Sequence, residues 1–470
     1  MVDQPKDKNK TRTSVELFAG GGGLAMAAHQ AGLRPLLFNE FNARACETLE
    51  ASKHRTLSAE GLVRLPVKDP GATAPVKPAR PEPGQPTPLY PGDVRDLDMS
   101  GLAGKTLADA VDILAGGPPC QPFSAGGVAK GDEDKRNMFP AMFKAVREIR
   151  PKAVICENVR GLLRPSFKDY FQYIQDELKF PFEERDDDVP WQKHAAALAK
   201  VLKANPQEHD VNPKHYRMRM IPVNAANYGV PQIRNRVILV AFRADLEVDM
   251  DAFEKSILRE RFSEAALHES MREEDGPYWQ RHPDVPGHVK ALVRARLPKK
   301  AKDIDPDVKP WRTLRDAIAG YGTTFEESER LPALPDVDLR LLDRRTEQAA
   351  ALRITDHIGW PDARIYKGHT PNELDRPAKT VKAGVHGVPG GESVVLTDEP
   401  VKGATARGGS GYVHRYMTVR ETARVMTFPD EWLGSGPRGE KMRQLGNAVP
   451  VTLGKFFMEA VAETLTQLGY

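Results

Sequence analysis

Residues 13–30 constrain the fold more than any other stretch of the sequence. An apolar run, 13–18, is broken by Ala19-Gly20-Gly21-Gly22-Gly23 and followed by an alanine-rich segment, 24–30. This order predicts a strand, a glycine turn and a helix, the first half of a nucleotide-binding βαβ unit. A second apolar run, 35–38, puts Glu40 at the tip of the next strand, where a carboxylate can bind both hydroxyls of a ribose.

The spacing of the glycines also limits the class of ligand that the turn can bind. Four successive glycines differ from the G-x-G-x-x-G loop that brings backbone amides to a pyrophosphate. Adenosine ligands without phosphates, such as S-adenosylmethionine, need close backbone approach and a ribose-binding acid. Farther on, Asp93 follows Gly92 and could meet an adenine amino group, although a turn aspartate would explain it equally well.

A second glycine-rich loop carries a thiol. The apolar run 111–115 predicts a buried strand, and Gly116-Gly117-Pro118-Pro119-Cys120-Gln121-Pro122-Phe123-Ser124 follows it. Prolines fix φ over much of this loop, which suits the presentation of a nucleophile at a strand's carboxyl end. Taken alone, the loop is better explained as a Pro-Gly turn with an incidental cysteine.

The next predicted strand ends in an acid. The run Ala153-Val154-Ile155-Cys156 leads into Glu157, so this carboxylate emerges beside the thiol loop. An acid leaving an apolar strand needs a partner, and the partner can be a substrate or a structural cation. Arg234 and Arg236 lie on one face of a later predicted strand, 232–240, where they serve an anionic partner or edge a sheet.

Composition excludes several classes of protein. The 470 residues suffice for two or three domains. The sequence has no run of 18 or more apolar residues, so no membrane span is predicted. Residues 1–12 are polar and lysine-rich, which predicts a disordered arm rather than a secretory signal, and the expected compartment is the cytoplasm. Three cysteines, with Cys46 and Cys156 assigned to the core, match no disulfide framework or zinc spacing, so no metal is expected.

The rest of the chain is less regular. Helices are predicted at about 42–54, 137–150, 419–426 and 451–468, and residues 66–91 are so proline-dense that a surface insertion at about 55–91 is predicted. Residues 168–212 predict a second insertion of two helices around an acidic loop. From 245 to 413 loops dominate. The basic residues of that region are either phosphate contacts or a solvated face; they are Lys290, Arg294, Arg296, Lys299, Lys300, Lys302 and Lys309.

Taken together, these stretches resemble the cytosine-5 DNA methyltransferase family. The matching motifs occur in order along the chain; they are Phe18–Gly23, Asn39-Glu40-Phe41, Gly92-Asp93-Val94, Gly116–Ser124, Glu157-Asn158-Val159, Gln232-Ile233-Arg234-Asn235-Arg236, Arg415–Asp430 and Gly446–Val451. Phe41 stands where some members have tryptophan, which should weaken stacking on adenine. The two insertions have no counterpart in the family.

The resemblance implies a fold and a domain order. The expected fold is α/β, a Rossmann-like methyltransferase domain with a mixed, mostly parallel sheet, plus a smaller loop-rich β domain for target recognition. The catalytic domain is expected at 13–245 and the recognition domain at 246–437. Residues 438–470 are expected to return to the catalytic domain.

It also implies the site residues. The expected catalytic residues are Cys120, Glu157, Arg234 and Arg236. S-adenosyl-L-methionine is the expected cofactor, and the residues expected to bind it are Phe18, Gly20, Gly22, Gly23, Leu24, Glu40, Phe41, Asp93, Val94, Pro118, Asn447 and Val449.

The implied reaction adds the Cys120 thiolate to carbon 6 of a flipped-out cytosine, with Glu157 acting at N3 and Arg236 favouring the thiolate. Gly126, Gly127 and Gly131 would let the loop close on duplex DNA, bound by a monomer. Candidate partners are a cognate restriction endonuclease or defence-system proteins. The rivals are an RNA (tRNA) cytosine-5 methyltransferase, a non-catalytic DNA-binding relative and a dehydrogenase, whose glycine spacing fits poorly.

Overall fold

The described part of the chain forms two compact units. The computed structural model describes residues 11–52, 57–119, 137–186, 188–300, 303–321, 331–337, 354–360, 370–383, 392–400 and 411–470. The first unit takes the chain up to Val223, together with Asn235–Arg259 and Gly454–Tyr470. The second takes Asn224–Arg234 and Glu260–Leu453. Cys120, the glycines 126, 127 and 131, Lys302 and most of the predicted N-terminal arm lie outside the described residues.

The first unit begins with the predicted βαβ start. Strand β1 is Thr13–Leu17, helix α1 is Gly23–Gln30 and strand β2 is Arg34–Asn39, parallel to β1. Gly22 caps α1 with φ of 96°, a left-handed conformation that favours glycine. A Cβ at Gly22 would also lie 3.1 to 3.3 Å from side chains of Leu49, Leu57 and Met26. The turn therefore needs glycine for both conformation and space.

Eight strands of the described residues form the main sheet, in the order β3-β4-β2-β1-β5-β6-β8-β7. The remaining strands are β3 Leu62–Arg64, β4 Thr87–Tyr90, β5 Ile113–Gly116, β6 Ala153–Val159, β7 Tyr216–Asn224 and β8 Asn235–Arg243. The pairs from β3 to β6 are parallel, and β8 is antiparallel to β6. Parallel strands leave their carboxyl ends at one edge of the sheet, which is the usual place for a ligand site.

Helices cover this sheet in the first unit. They are α1, α2 Ala43–Ala51, α3 Phe139–Ile149, α4 Lys168–Lys179, α5 Trp191–Ala204 and α6 Met250–Leu258, with the larger part of α13, Val451–Gln467. Cys46 and Cys156 are buried, which confirms their assignment to the core. No helix in the described ranges is long and apolar enough to cross a bilayer.

The two predicted insertions differ from expectation. Residues 87–90 form β4, a buried strand hydrogen-bonded beside β2, so the assignment of this stretch to a surface insertion is wrong. The two helices predicted within 168–212 are present as α4 and α5. Their apolar side chains, among them Phe171, Ile174 and Leu198, belong to the main hydrophobic core. This segment is therefore part of the domain's packing rather than a lid.

The second unit contains more helix than the sequence predicted. Its helices are α7 Glu264–Arg272, α8 Pro277–Arg281, α9 Gly287–Ala295, α10 Leu314–Ile318, α11 Val419–Val425 and α12 Arg438–Asn447, followed by the start of α13. A three-stranded sheet consists of β11 Asn372–Glu373, β12 Val394–Pro400 and β13 Tyr412–Tyr416, and β9 Phe262–Ser263 pairs with β10 Lys309–Pro310. A large, mostly parallel sheet with helices and a smaller separate sheet confirm the predicted fold class.

The chain leaves the second unit later than predicted. Helix α12 belongs to the second unit, and the return to the first begins at Gly454 rather than at residue 438. One cause is the close approach at Gly446, where a Cβ would lie 2.4 Å from the backbone of Lys382 and Ala383. The functional labels of the domains stay predictions.

Candidate active site

Most of the predicted site residues follow the carboxyl ends of neighbouring parallel strands. The glycine turn follows β1, Glu40 and Phe41 follow β2, and Asp93 follows β4. Pro118 follows β5, and Glu157 lies near the end of β6. Because β4, β2, β1, β5 and β6 are adjacent in that order, these residues share one edge of the first unit.

Glu40 anchors the glycine turn. Its Oε2 accepts a hydrogen bond from the amide of Gly20 at 2.7 Å, and its Oε1 accepts one from the amide of Asn42 at 2.6 Å. The carboxylate therefore links the turn after β1 to the start of α2. Binding of a ribose by this carboxylate stays a prediction.

Phe18 and Phe41 flank this anchor. Phe18 has φ of 57°, an uncommon conformation for a residue with a side chain. Phe41 is 75% exposed, although large aromatic side chains are usually covered. An exposed ring directly after Glu40, the acid predicted to bind a ribose, is a suitable platform for a flat heterocycle. Gly23 and Leu24 are buried in the first turn of α1.

Asp93 is held by its own loop. Its carboxylate caps the short 3₁₀ helix Val94–Asp96 by accepting the Arg95 amide, and it also binds the Arg95 guanidinium. The hydrogen bond from Arg95 lowers the pKa of Asp93, although partial burial opposes the shift. Asn39 fixes the preceding residue, because its side-chain amide donates to the carbonyl of Gly92 at 2.9 Å. Val94 is buried.

Glu157 forms an ion pair with Arg236. Arg236 Nε lies 2.7 Å from Glu157 Oε1, and both side chains are largely buried. Glu157 belongs to β6 rather than following it, since the strand continues to Val159, opposite Arg236 of β8. A side chain at Gly117 would begin 3.5 Å from the other oxygen, Oε2. One oxygen is therefore held by the arginine, and the other lies beside the loop that leads towards Cys120.

Asn158 connects β6 to the same loop. Its side-chain amide donates to the carbonyl of buried Pro118 at 3.1 Å. Asn158 belongs to the Glu157-Asn158-Val159 motif, but no role was predicted for it. No role was predicted for Asn39 either, which is buried at the end of β2. In both cases the signal was an amide side chain next to the acid of a strand end.

Arg234 does not share a face with Arg236, and that prediction is wrong. Strand β8 begins at Asn235, and Arg234 precedes it in the second unit. Its side chain is 1% exposed. The guanidinium donates to backbone carbonyls of Val381 at 3.0 Å and of Gly446 and Ala448 at 2.8 Å. These contacts indicate a structural role within the second unit.

Two predicted cofactor residues also belong to the second unit. Asn447 is the last residue of α12 and is exposed, and Val449 is buried beyond it. Their part in cofactor binding stays a prediction.

The basic segment of the second unit is partly neutralised. Lys290 lies 5.9 Å from the Trp279 ring centroid, Arg294 is 3.4 Å from Glu274, and Arg296 is 3.4 Å from Glu373. Lys299 and Lys300 are exposed. Exposed pairs of this kind are weak, so these cations remain able to bind phosphate.

The sequence matches one family over most of its length. A family model described as C-5 cytosine-specific DNA methylase matches residues 89–180 and 204–463. The type II methyltransferase M.Eco47II of Escherichia coli is 27% identical over 477 residues, covering 99% of this chain and 82% of the relative. The type II methyltransferase M.AplI of Arthrospira platensis is 34% identical over 362 residues, covering 77% of this chain and 71% of the relative.

The fold has a counterpart among solved structures. A crystal structure from E. coli, described as a DNA modification methyltransferase encoded within a prophage, aligns with a TM-score of 0.50 at 18% identity. The alignment covers 97% of this chain and all of the other. The family model and the curated relatives confirm the predicted family resemblance and enzyme class. The chain belongs to the C-5 cytosine-specific DNA methylase family.

Proposed function

We propose that the protein methylates carbon 5 of cytosine within a specific sequence of duplex DNA, as the methyltransferase of a restriction-modification or anti-phage system. The observation that carries this proposal is the Glu157–Arg236 pair beside Gly117 and Pro118, at the sheet edge that Glu40, Phe41 and Asp93 share. We assign these last three residues to a subsite that binds adenosine. The relatives M.Eco47II and M.AplI bear the name type II methyltransferase, which supports the biological setting.

The residues present fit S-adenosyl-L-methionine as the cofactor. Glu40 would bind the ribose hydroxyls, Phe41 would stack on the adenine, and Asp93 would accept from its amino group. At Gly20, where a Cβ would have only the carbonyl oxygen of Phe18 within 4.0 Å among the described residues, the turn is open to the approach of a ligand. When bound, the cofactor would supply an electrophilic methyl group carried on a sulfonium.

Cys120 would start the reaction. Carbon 5 of cytosine is a poor nucleophile, but addition of the thiolate to carbon 6 converts the ring into an enamine with an electron-rich carbon 5. The new bond joins sulfur to carbon 6, and the displaced electron density reaches N3. Glu157 would hydrogen-bond or protonate N3 there, and Arg236 would hold the carboxyl group in position.

The same residues would complete the cycle. Carbon 5 would take the methyl group, whose carrier leaves as a neutral thioether, and a base would then remove the carbon-5 proton while N3 returns its proton to Glu157. The released electron pair restores the ring double bond and expels the Cys120 thiolate. A thiol of ordinary pKa, about 8.5, needs a positive neighbourhood to ionise. Arg236 is paired with Glu157, so its contribution to that neighbourhood is smaller than the sequence suggested.

A base inside a duplex cannot meet these groups, so the cytosine must be flipped out. The second unit would read the target in the major groove, and Arg296, Lys299 and Lys300 would contact phosphates. We place the enzyme in the cytoplasm, acting as a monomer on DNA with a cognate endonuclease or defence proteins as its partners.

The proposal is tested by supplying purified protein and tritiated cofactor with duplex DNA or with tRNA. Label in DNA is the expected result, and Cys120→Ala should lose it while binding the cofactor as the wild type does. Label in tRNA alone would favour the RNA enzyme, and no label with intact DNA binding would favour a non-catalytic relative. Bisulfite sequencing of DNA from cells that express the protein would then give the target sequence.

A further inference from the structure

The carboxylate of Asp93 is already largely occupied by one neighbouring residue. Its Oδ1 accepts from the Arg95 amide at 2.9 Å and from Arg95 Nε at 3.0 Å. Its Oδ2 accepts from Nε at 3.0 Å and from Nη2 at 2.5 Å. Because the single Nε–H is shared between both oxygens, three donors of Arg95 make these four contacts and take up most of the roughly four acceptor positions of the carboxylate.

The loop that carries this pair is firmly held. Asn39 donates to the carbonyls of Tyr90 and Gly92. Lys144 Nζ donates to the carbonyl of Leu97 at 2.7 Å and to that of Arg95 at 3.4 Å. The backbone around Asp93 is thus held from both sides, whereas the Arg95 side chain is 57% exposed and has space in solvent to move aside.

We propose that Arg95 is a built-in competitor in the adenine subsite, and that its guanidinium must release an oxygen of Asp93 before the amino group of an adenine can bind. This inference rests on the proposed cofactor. It assigns to Arg95 a part in determining ligand affinity that neither the motif nor the ribose and stacking contacts require.

The expected effect is modest because the competing pair is exposed. Such pairs contribute roughly 0.2–1 kcal/mol, which corresponds to about a 1.4- to fivefold change in affinity, so freeing Asp93 should tighten binding by up to about fivefold. The gain should appear only for ligands that have an exocyclic amino group. It should also shrink as salt rises, because salt weakens the Arg95–Asp93 pair in the wild type and leaves a variant without it unchanged.

The test uses Arg95→Met, which keeps an apolar stem and the backbone amide that Asp93 caps. Two uncharged probes, 5′-methylthioadenosine and purine riboside, compete with radiolabelled S-adenosylmethionine for the full-length protein. We expect the variant to bind methylthioadenosine up to about fivefold more tightly and purine riboside unchanged. Arg272→Met is the matched control, because Arg272 makes the same two-pronged contact with Glu269 in the second unit.

The outcomes are distinct. Unchanged or weaker binding of methylthioadenosine by Arg95→Met overturns the inference and makes Arg95 a support for Asp93, while leaving the proposed function intact. An equal gain for purine riboside also overturns it, because the amino group would then be irrelevant. Failure of the wild-type protein to bind S-adenosylmethionine at all would overturn both proposals.

Discussion

Glu157 is the residue with the most to do at the site. Its Oε1 is held by Arg236, and its Oε2 lies on the side of Gly117. This division lets one oxygen fix the side chain while the other lies beside Gly117, in the loop that leads towards the proposed nucleophile, Cys120. One oxygen of the carboxyl group therefore positions the side chain, and the other is left for the proposed chemistry at N3.

Replacing Glu157 by glutamine should separate them experimentally. Glutamine keeps the shape but cannot protonate N3, so kcat should fall by roughly 10²- to 10⁴-fold. Cofactor affinity, measured by calorimetry, should be unchanged. Single-turnover methylation of duplex DNA gives the rate, and Glu459→Gln, a change in an exposed glutamate of α13, is the control. A rate near that of the wild type would remove Glu157 from the chemistry.

Glu40 should show the opposite pattern. Glu40→Ala removes the acceptor of the Gly20 and Asn42 amides as well as the ribose contact. We expect cofactor affinity to fall by at least about tenfold, since each lost charge-assisted bond contributes about 1.5–3 kcal/mol. Saturating cofactor should restore most of kcat. Calorimetric titration measures the loss, and an unchanged Kd would contradict the ribose assignment.

At the scale of the elements, a buried acid in strand β1 makes the stability of the fold depend on pH. Glu16 is fully buried in this strand, and burial raises its pKa to about 8, with the Ser14 hydroxyl lowering it in part. An unfolded chain would titrate this group near its ordinary value of 4.5. Between these two values the folded protein keeps a proton that the unfolded chain has lost. Stability therefore falls as pH rises through this interval.

Glu16→Gln should remove that dependence. The variant and the wild type should unfold at similar temperatures near about pH 5, and the variant should be more stable near about pH 9, by up to about 5 kcal/mol. Thermal unfolding followed across this range measures the difference. Parallel pH curves for the two proteins would show that Glu16 titrates normally in the folded state.

The sequence predicted some elements well and others poorly for physical reasons. Helices α1 and α13 were predicted almost to the residue, because long apolar patterns mark them. Strand β4 was missed because Pro88 and the surrounding prolines usually argue against a strand. Helices α6, α7 and α10 were not predicted: α10 has five residues, and the nine residues of α6 and of α7 interleave charged and apolar side chains without the glycine turn that marks α1. Their N-caps Asp249, Ser263 and Thr313 were nevertheless readable start signals.

The site was predictable where chemistry follows a strand end. Glu40 and Glu157 were singled out because each follows or ends an apolar run, whereas Asp93 was singled out from the Gly92-Asp93-Val94 sequence alone. The partners of these acids were not, since Arg95 and Arg236 bind through side-chain geometry that spacing alone does not fix. Arg234 was misassigned because alternation was extended one residue beyond the real start of β8.

At the scale of the whole molecule, Arg234 ties together separate stretches of the second unit. Arg234→Met would leave buried carbonyls of Val381, Gly446 and Ala448 without their donor. We expect a loss of at least about 3 kcal/mol in the free energy of unfolding, since each unsatisfied buried group costs about 1–3 kcal/mol. Denaturant unfolding measures this. Retention of wild-type stability would return Arg234 to the list of candidate catalytic residues.

The first unit is built from segments that are far apart in the sequence, and this has a consequence for biosynthesis. The first unit needs residues from before Val223 and also Gly454–Tyr470, with the second unit's sequence between them. On the ribosome, strands β1 to β8 are synthesised some two hundred residues before the main part of α13, so the first unit cannot be completed until α13 emerges. Arg12 illustrates the delay, because its partners Thr466 and Tyr470 do not yet exist when it emerges. Nascent chains stalled before residue 454 should therefore expose the first unit's unfinished surface to chaperones, whereas the second unit can already be compact.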